Sequence, residues 1–202
     1  MLAVSFTSTN GLLMKNVLLS LLASAAIAAT AFAALKAGDS APAFEAKASL
    51  AGKPFDFSLR DALDEGAVVV YFYPSAYTQG CNIQAREFAV KMDQFTAAGA
   101  SVIGVSLDSI ERLNDFSADP EYCAGKLAVA SDPSGAIARS YGLSVRDARE
   151  GAKDTRGVEI GHGFAERTTF IVTPDGKIAD TIGGLSPMEN VRQTLAAVQR
   201  LQ

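Results

Sequence analysis

The chain has 202 residues, 49% hydrophobic and 20% charged, with no low-complexity tract; that is the size and composition of one ordinary enzyme domain with a sizeable core. Eighteen basic against 22 acidic residues give a formal net charge of −4. The positive charges are scattered rather than clustered on one stretch, so nucleic-acid binding is set aside.

The first 34 residues read differently from the rest. Met14-Lys15-Asn16 opens an apolar, alanine-rich run from Val17 that closes on Ala31-Phe32-Ala33. A positive n-region, an apolar h-region and an A-x-A site are the three parts of an export signal, with cleavage after Ala33. The expectation is therefore residues 1–13 as a mis-assigned start ahead of Met14, 14–33 as a signal peptide, 36–202 as the folded domain, and a periplasmic destination. An uncleaved anchor is the alternative, since the apolar stretch approaches the ~18–20 residues that span a bilayer, although its many alanines weaken that reading.

In chain order, 44–48 and 55–57 form a predicted hairpin around Gly52-Lys53-Pro54, and a short helix follows over 59–64. Residues 67–73 and 102–107 are β-branched or continuously hydrophobic, the pattern of strands covered on both faces. Between them Cys81, Ala85, Phe88, Met92 and Phe95 recur at spacings of four and three, one helical face, with Gly99 placed to end the helix. Further on come a helix near 110–116, a strand near 127–130, a turn at Asp132-Pro133-Ser134-Gly135 and a short helix ending at Gly142. Residues 144–163, charged and glycine-containing, read as a loop. Strands at 168–172 and 177–182 flank Pro174-Asp175-Gly176, a hairpin signal. Ser186 as N-cap, Pro187 at N1 and Glu189 at N3 form a capping box for a last helix that should run to the C-terminus, burying Val191, Leu195, Val198 and Leu201 and carrying no identifiable catalytic group. A βαβ core followed by a hairpin and a closing helix predicts an α/β, thioredoxin-like fold with a central mixed sheet flanked by helices.

The chemistry concentrates where the strand at 67–73 breaks at Pro74 and the chain delivers Cys81 to the start of a helix. Unpaired amides and the positive end of a helix dipole favour a thiolate there, the reactive form. Export makes the pair Cys81 and Cys123 first a candidate disulfide. A purely structural staple, however, needs no strand-to-helix break, no proline and no neighbouring hydroxyl. A thiol-disulfide exchange protein of thioredoxin type needs Cys-x-x-Cys, and position 84 is glutamine. A copper-binding relative would need a second cysteine near Cys81 and a histidine, but position 85 is alanine, and the lone His162 between Gly161 and Gly163 reads as a loop residue, so no metal or other cofactor is expected.

Pro74-x-x-x-Thr78-x-x-Cys81 after a buried strand, followed by Arg167-Thr-Thr-Phe opening a late strand, resembles the peroxiredoxins over about residues 36–202. Gly99-Ala-Ser-Val-Ile-Gly-Val-Ser-Leu-Asp-Ser109, Ser131-Asp-Pro-Ser-Gly135 and Pro174-Asp-Gly-Lys177 are similar to the peroxiredoxin Q, or bacterioferritin comigratory protein, branch. The resemblance implies a thiol-dependent peroxidase acting on hydrogen peroxide and organic hydroperoxides, with Cys81 as the peroxidatic thiol. Thr78 would hydrogen-bond thiolate and peroxide, unless it serves as a helix N-cap. Arg167 would hold the thiolate and the departing oxygen, its bland alternative being a solvated strand-end arginine. Pro74 would shield the pocket, or simply end the strand. Gln84 stands where many members carry glutamate, which loosens the expected polar network. Arg86 stands where many carry the resolving cysteine, so that short-range disulfide is impossible here and the role passes to Cys123, in Asp119-Pro-Glu-Tyr-Cys-Ala-Gly125. Helix ends would have to unwind to join the sulfurs. A thioredoxin-like reductant would then regenerate the thiols; with Cys123 uninvolved, the enzyme would use an external thiol as a one-cysteine peroxidase. A monomer or weak dimer is expected. Peroxide preference is left to the width of a pocket around Tyr77 and residues 144–163.

Overall fold

The structure is a computed structural model that describes residues 1–3 and 33–202. The expected export signal at 14–33 lies outside the described residues except for Ala33, as does most of the 1–13 extension. No helix among the described residues is long and apolar enough to cross a membrane.

Strands β1 (Glu45–Leu50) and β2 (Lys53–Ser58) pair antiparallel, with Leu50 opposite Lys53. The turn falls on Ala51 and Gly52, at φ 52° and 77°, one residue earlier than expected, because a two-residue connection with both φ positive matches the strands' own twist. Pro54 therefore lies inside β2, where its missing N–H is tolerated on an edge strand. Helix α1 (Leu59–Glu65) starts at Ser58, whose hydroxyl accepts from the Asp61 amide. Strand β3 (Ala67–Phe72), helix α2 (Gln79–Ala97) and strand β4 (Ala100–Ser106) make the expected βαβ unit, with β3 and β4 parallel. Gly99, at φ 65°, supplies the left-handed residue that lets the chain leave α2.

Helix α3 (Ile110–Ala118), strand β5 (Ala128–Ser131) and helix α4 (Ala136–Ser140) come next. The 144–163 segment is more structured than its polarity implied. Strand β6 (Val145–Arg146) pairs with β7 (Phe164–Ala165), and Lys153 bridges Glu159, so the segment is a folded excursion closed at its base. Strands β8 (Thr168–Val172) and β9 (Ile178–Gly183) form the second hairpin, and α5 (Pro187–Gln199) closes the chain. Ser186 caps α5 through the Glu189 amide, but the Glu189 carboxylate turns to Arg192 and Gln193, so only half of the expected capping box is made. The helix ends at Gln199, and Leu201 is exposed instead of completing the buried stripe.

The seven main strands lie in the order β2-β1-β5-β4-β3-β8-β9, a mixed sheet with β3, β4 and β5 parallel at its centre. Alternation along β3 splits the core: Val69, Tyr71 and Tyr73 face a layer built with α2, α3 and α5, whereas Val68, Val70 and Phe72 face one built with α1 and α4. Both cysteines belong to the first layer. Tyr71 lies flat across Gly104 of β4, where a Cβ would come within 2.6 Å of its ring.

Candidate active site

Beyond β3 the amide of Tyr73 still bonds the Val105 carbonyl (3.1 Å), and at half-buried Pro74, which has no N–H to donate, the chain leaves the sheet. Thr78 takes the N-cap position of α2, but its hydroxyl donates to the Ser75 carbonyl (2.9 Å) and caps no amide. The N-cap alternative for its side chain is thereby corrected. First-turn amides, which have no partner within the helix, surround Cys81, the third helical residue, buried at 2% exposure.

Arg167, between β7 and β8, reaches Cys81 from the neighbouring strand. Its Nη2 lies 3.3 Å from Sγ, and its Nη1 donates to Oε1 of Gln84. It is not a solvated strand-end arginine. Gly80 leaves room for the approach, since a Cβ there would stand 3.2 Å from Nη2 and press it back by a few tenths of an ångström. Gln84 does not loosen the network; it carries it onward. Its Nε2 donates to Oδ1 of Asn190 in α5 (2.9 Å), which also accepts from the Thr169 hydroxyl (2.8 Å), while Nδ2 of Asn190 donates to the Ile182 carbonyl (3.0 Å). The closing helix, expected to bring no functional group, thus holds the far end of the arginine's anchor. An asparagine among the apolar residues of that helix's buried face, with Thr194 one turn on, was the signal available in the sequence.

A second network holds the segment ahead of Cys81. Fully buried Asp108, just after β4, accepts from the Ser75 hydroxyl (2.9 Å), the Ala76 amide (2.7 Å), the Ser106 hydroxyl (2.7 Å), Nε of Arg112 (2.8 Å) and Nε2 of His162 (2.8 Å). Burial pushes its carboxyl up, but these donors outweigh burial and hold it below the usual carboxylate range. His162 is consequently more than a loop residue, correcting the reading of the sequence. Arg112 also donates to the Ala76 carbonyl and to Asp154, which in turn pairs with Arg156. The Arg156 guanidinium lies 3.3 Å above the Tyr77 ring. Tyr77 sits at φ 61°, a conformation that costs a bulky residue about 1–3 kcal/mol. Thr155 offsets it, donating to the Tyr77 carbonyl from both its amide (2.9 Å) and its hydroxyl (2.8 Å).

Cys123 is fully buried in the turn after α3 and, like Cys81, is a free thiol. Burial, reinforced by Asp119, pushes its thiol well up, so it stays protonated while the turn is closed. Tyr122 beside it packs edge-on to Tyr77 (5.7 Å between ring centres), and Phe116 touches both rings. Arg86, in the place of the missing cysteine, donates to the Pro120 carbonyl (3.2 Å) and ties α2 to the same turn. Next to Thr78 opens a cavity of about 470 Å³ lined by Arg146, Arg149, Ala152, Ile160 and Phe164. The excursion contributes its wall as expected, whereas Tyr77 lies beneath Arg156 and does not line it.

A buried thiol in the first turn of a helix, gripped by a guanidinium on a thioredoxin-like sheet, is the arrangement of a thiol-based redox enzyme. Residues 37–181 match the AhpC/TSA family. The chain is 33% identical to peroxiredoxin Bcp of Escherichia coli over 144 residues, 71% of this chain and 83% of that protein. Among solved structures it resembles peroxidoxin BcpB of Mycobacterium tuberculosis (TM-score 0.68, 26% identity, 83% of this chain and 99% of that one). The bacterioferritin comigratory protein of Xanthomonas campestris, described for its alkyl peroxide reduction activity, superposes with TM-score 0.60 at 26% identity, over 77% of this chain and 90% of that one. The chain belongs to the AhpC/TSA family and, within it, to the peroxiredoxin Q or bacterioferritin comigratory protein branch of the thiol-dependent peroxidases.

Proposed function

We propose that the chain reduces hydrogen peroxide and organic hydroperoxides through Cys81, resolves the product with Cys123 and returns to the dithiol through a thioredoxin-like reductant. The observation that carries this reading is the contact of Arg167 with the Cys81 sulfur inside the opening turn of α2. The Cys81 thiolate attacks the terminal peroxide oxygen; the O–O bond breaks, an S–O bond forms, and the departing alkoxide or hydroxide takes a proton to leave as alcohol or water. Arg167 stabilises charge on sulfur and on the leaving oxygen, Thr78 offers its hydroxyl to the peroxide on turning from Ser75, and Pro74 keeps water from the sulfur. The cavity beside Thr78 has room for an organic substituent.

Cys123 then displaces hydroxide from the sulfenic acid, giving a disulfide and water. Its burial and protonated state require the 119–125 turn and the first turn of α2 to open first. The same burial favours the second reading, a one-cysteine cycle with an external thiol. The export pattern at 14–33 supports a periplasmic site of action.

The test is the intact mass and peptide map of the reduced chain after one equivalent of hydrogen peroxide, with Cys81→Ser and Cys123→Ser alongside. Loss of two hydrogens with a Cys81–Cys123 cross-link, absent in both variants, is expected. Oxygen retained on Cys81 without a cross-link would establish the one-cysteine cycle, and an unmodified Cys81 would refute the peroxidase mechanism.

A further inference from the structure

We propose that His162, in its doubly protonated form, is a positioning residue for the peroxidatic segment, so that peroxide reduction slows as His162 loses its proton. The inference rests on the peroxidase reading of Cys81. Both ring nitrogens of His162 face acceptors: Nδ1 lies 2.7 Å from the Gly163 carbonyl and Nε2 lies 2.8 Å from Oδ1 of Asp108. A carbonyl and a carboxylate can only accept, so both nitrogens must carry hydrogen and the ring is an imidazolium. Either neutral tautomer places a bare lone pair against one of these oxygens.

Besides the Gly163 carbonyl, the Ser75 hydroxyl lies 3.4 Å from Nε2, and the charged groups around His162 form one chain of pairs. Asp108 follows β4, Arg112 lies on α3, and Asp154 and Arg156 belong to the excursion and close the chain of pairs through Arg112. Burial and Arg112 oppose the charge on His162, but Asp108 and the Gly163 carbonyl prevail and raise its pKa above the ordinary histidine value. His162 in turn holds the carboxylate that fixes Ser75 and Ala76, and Ser75 receives the Thr78 hydroxyl. A continuous path of hydrogen bonds therefore runs from the imidazolium to the residue next to the substrate cavity, three positions before Cys81. Loss of the proton leaves one N–H to serve either Asp108 or the Gly163 carbonyl and removes the positive charge beside the carboxylate, which lets the 75–78 segment sample arrangements that misplace Thr78 and Cys81.

His162 is the sole histidine of the chain, so its imidazole resonances in a proton–carbon NMR titration of the full reduced chain are assigned without ambiguity. The expected midpoint lies above about 6.5, the ordinary histidine value. The rate of Cys81 oxidation by hydrogen peroxide in stopped flow, taken relative to that of His162→Gln, should fall about three- to tenfold, the scale of one hydrogen bond, across the same midpoint. His162→Gln, which keeps an uncharged donor for Asp108, should show no such fall across that midpoint. A midpoint at or below the ordinary value, a fall in the wild-type chain at a different pH from the imidazole midpoint, or a fall that survives in His162→Gln would each overturn the proposal. No oxidation of Cys81 at any pH would overturn it through the peroxidase reading, and the imidazole midpoint, read without peroxide, separates that failure from the others.

Discussion

Asn190→Ala asks whether α5 takes part in the active site. The substitution strips three buried groups of their partner: Nε2 of Gln84, the hydroxyl of Thr169 and the carbonyl of Ile182. A buried donor or acceptor left unmade costs about 1–3 kcal/mol. The Thr169 hydroxyl can rotate and the vacated space is polar enough to admit a water, so the low end applies to each, and the sum is about 3 kcal/mol. At about 2–4 °C per kcal/mol for a domain of this size, Tm should fall by about 6–12 °C. Gln84 then no longer presents a fixed oxygen to Arg167, and the guanidinium grips the Cys81 sulfur from a looser position. A loss of about 1.4 kcal/mol in the transition state slows oxidation about tenfold. Thermal and urea denaturation of the reduced protein measure the first number and stopped-flow oxidation by hydrogen peroxide the second. Pairing the variant with Gln84→Leu should show non-additivity, because both act on one chain of bonds. A variant as stable and as fast as the wild type would refute the reasoning. Lost stability with an unchanged rate would confine Asn190 to holding α5 on the sheet.

Three further outcomes follow from other contacts. Gly104→Ala would drive a methyl group into the Tyr71 ring and should destabilise by about 1–3 kcal/mol in urea titration, whereas a neutral result would mean that the strands part easily there. Tyr77→Ala removes the ring between Phe116, Tyr122 and Arg156, so disulfide formation after peroxide should accelerate in quench-flow on non-reducing gels; a slower reaction would mean that the ring guides the opening and does not restrain it. The raised His162 pKa makes its contribution to stability complete below about 6.5 and lost as pH rises through its folded value, while the lowered Asp108 pKa makes that contribution complete above about 3.9 and lost as pH falls through its folded value. The urea midpoint of the wild type should therefore exceed that of His162→Gln by most between those limits, and a gap independent of pH would contradict the pairing.

The elements were legible because their signals are local: valines in register along β3, an apolar stripe on α2, glycines at the turns and a serine-proline start for α5. Cys81, Thr78 and Pro74 were legible for the same reason, being within one short stretch, and Arg167 followed from the resemblance. Asn190, Asp108 and the role of His162 were not, because each acts through a partner far along the chain, 106 residues away for Gln84 and 54 for the Asp108–His162 pair. Only the fold brings them together, although an acidic residue at the end of a buried parallel strand, in Val105-Ser-Leu-Asp108, marks a place where sites tend to form. The 144–163 excursion misled through its composition, since its order comes from the β6–β7 pairing at its base, from bonds that Asp154 makes within it and from the pairs of Asp154 with Arg112 and His162 with Asp108, and not from an apolar pattern of its own.

The division of side chains along β3 separates what a Cys81–Cys123 bond would disturb from what can stay closed. The aromatic rings around the two thiols, Tyr77, Phe116 and Tyr122, pack on one side of the sheet, while Leu59, Leu63, Tyr141 and Phe170 pack on the other. A cycle through that disulfide would cost the free energy of a partial opening and not that of global unfolding. Amide exchange in β3 and β8 should stay slow in both redox states, with only the start of α2 and the 119–125 turn quickening on oxidation. The apolar layer without a thiol would act as a keel in such a cycle, returning the opened segments to one geometry on reduction of the disulfide.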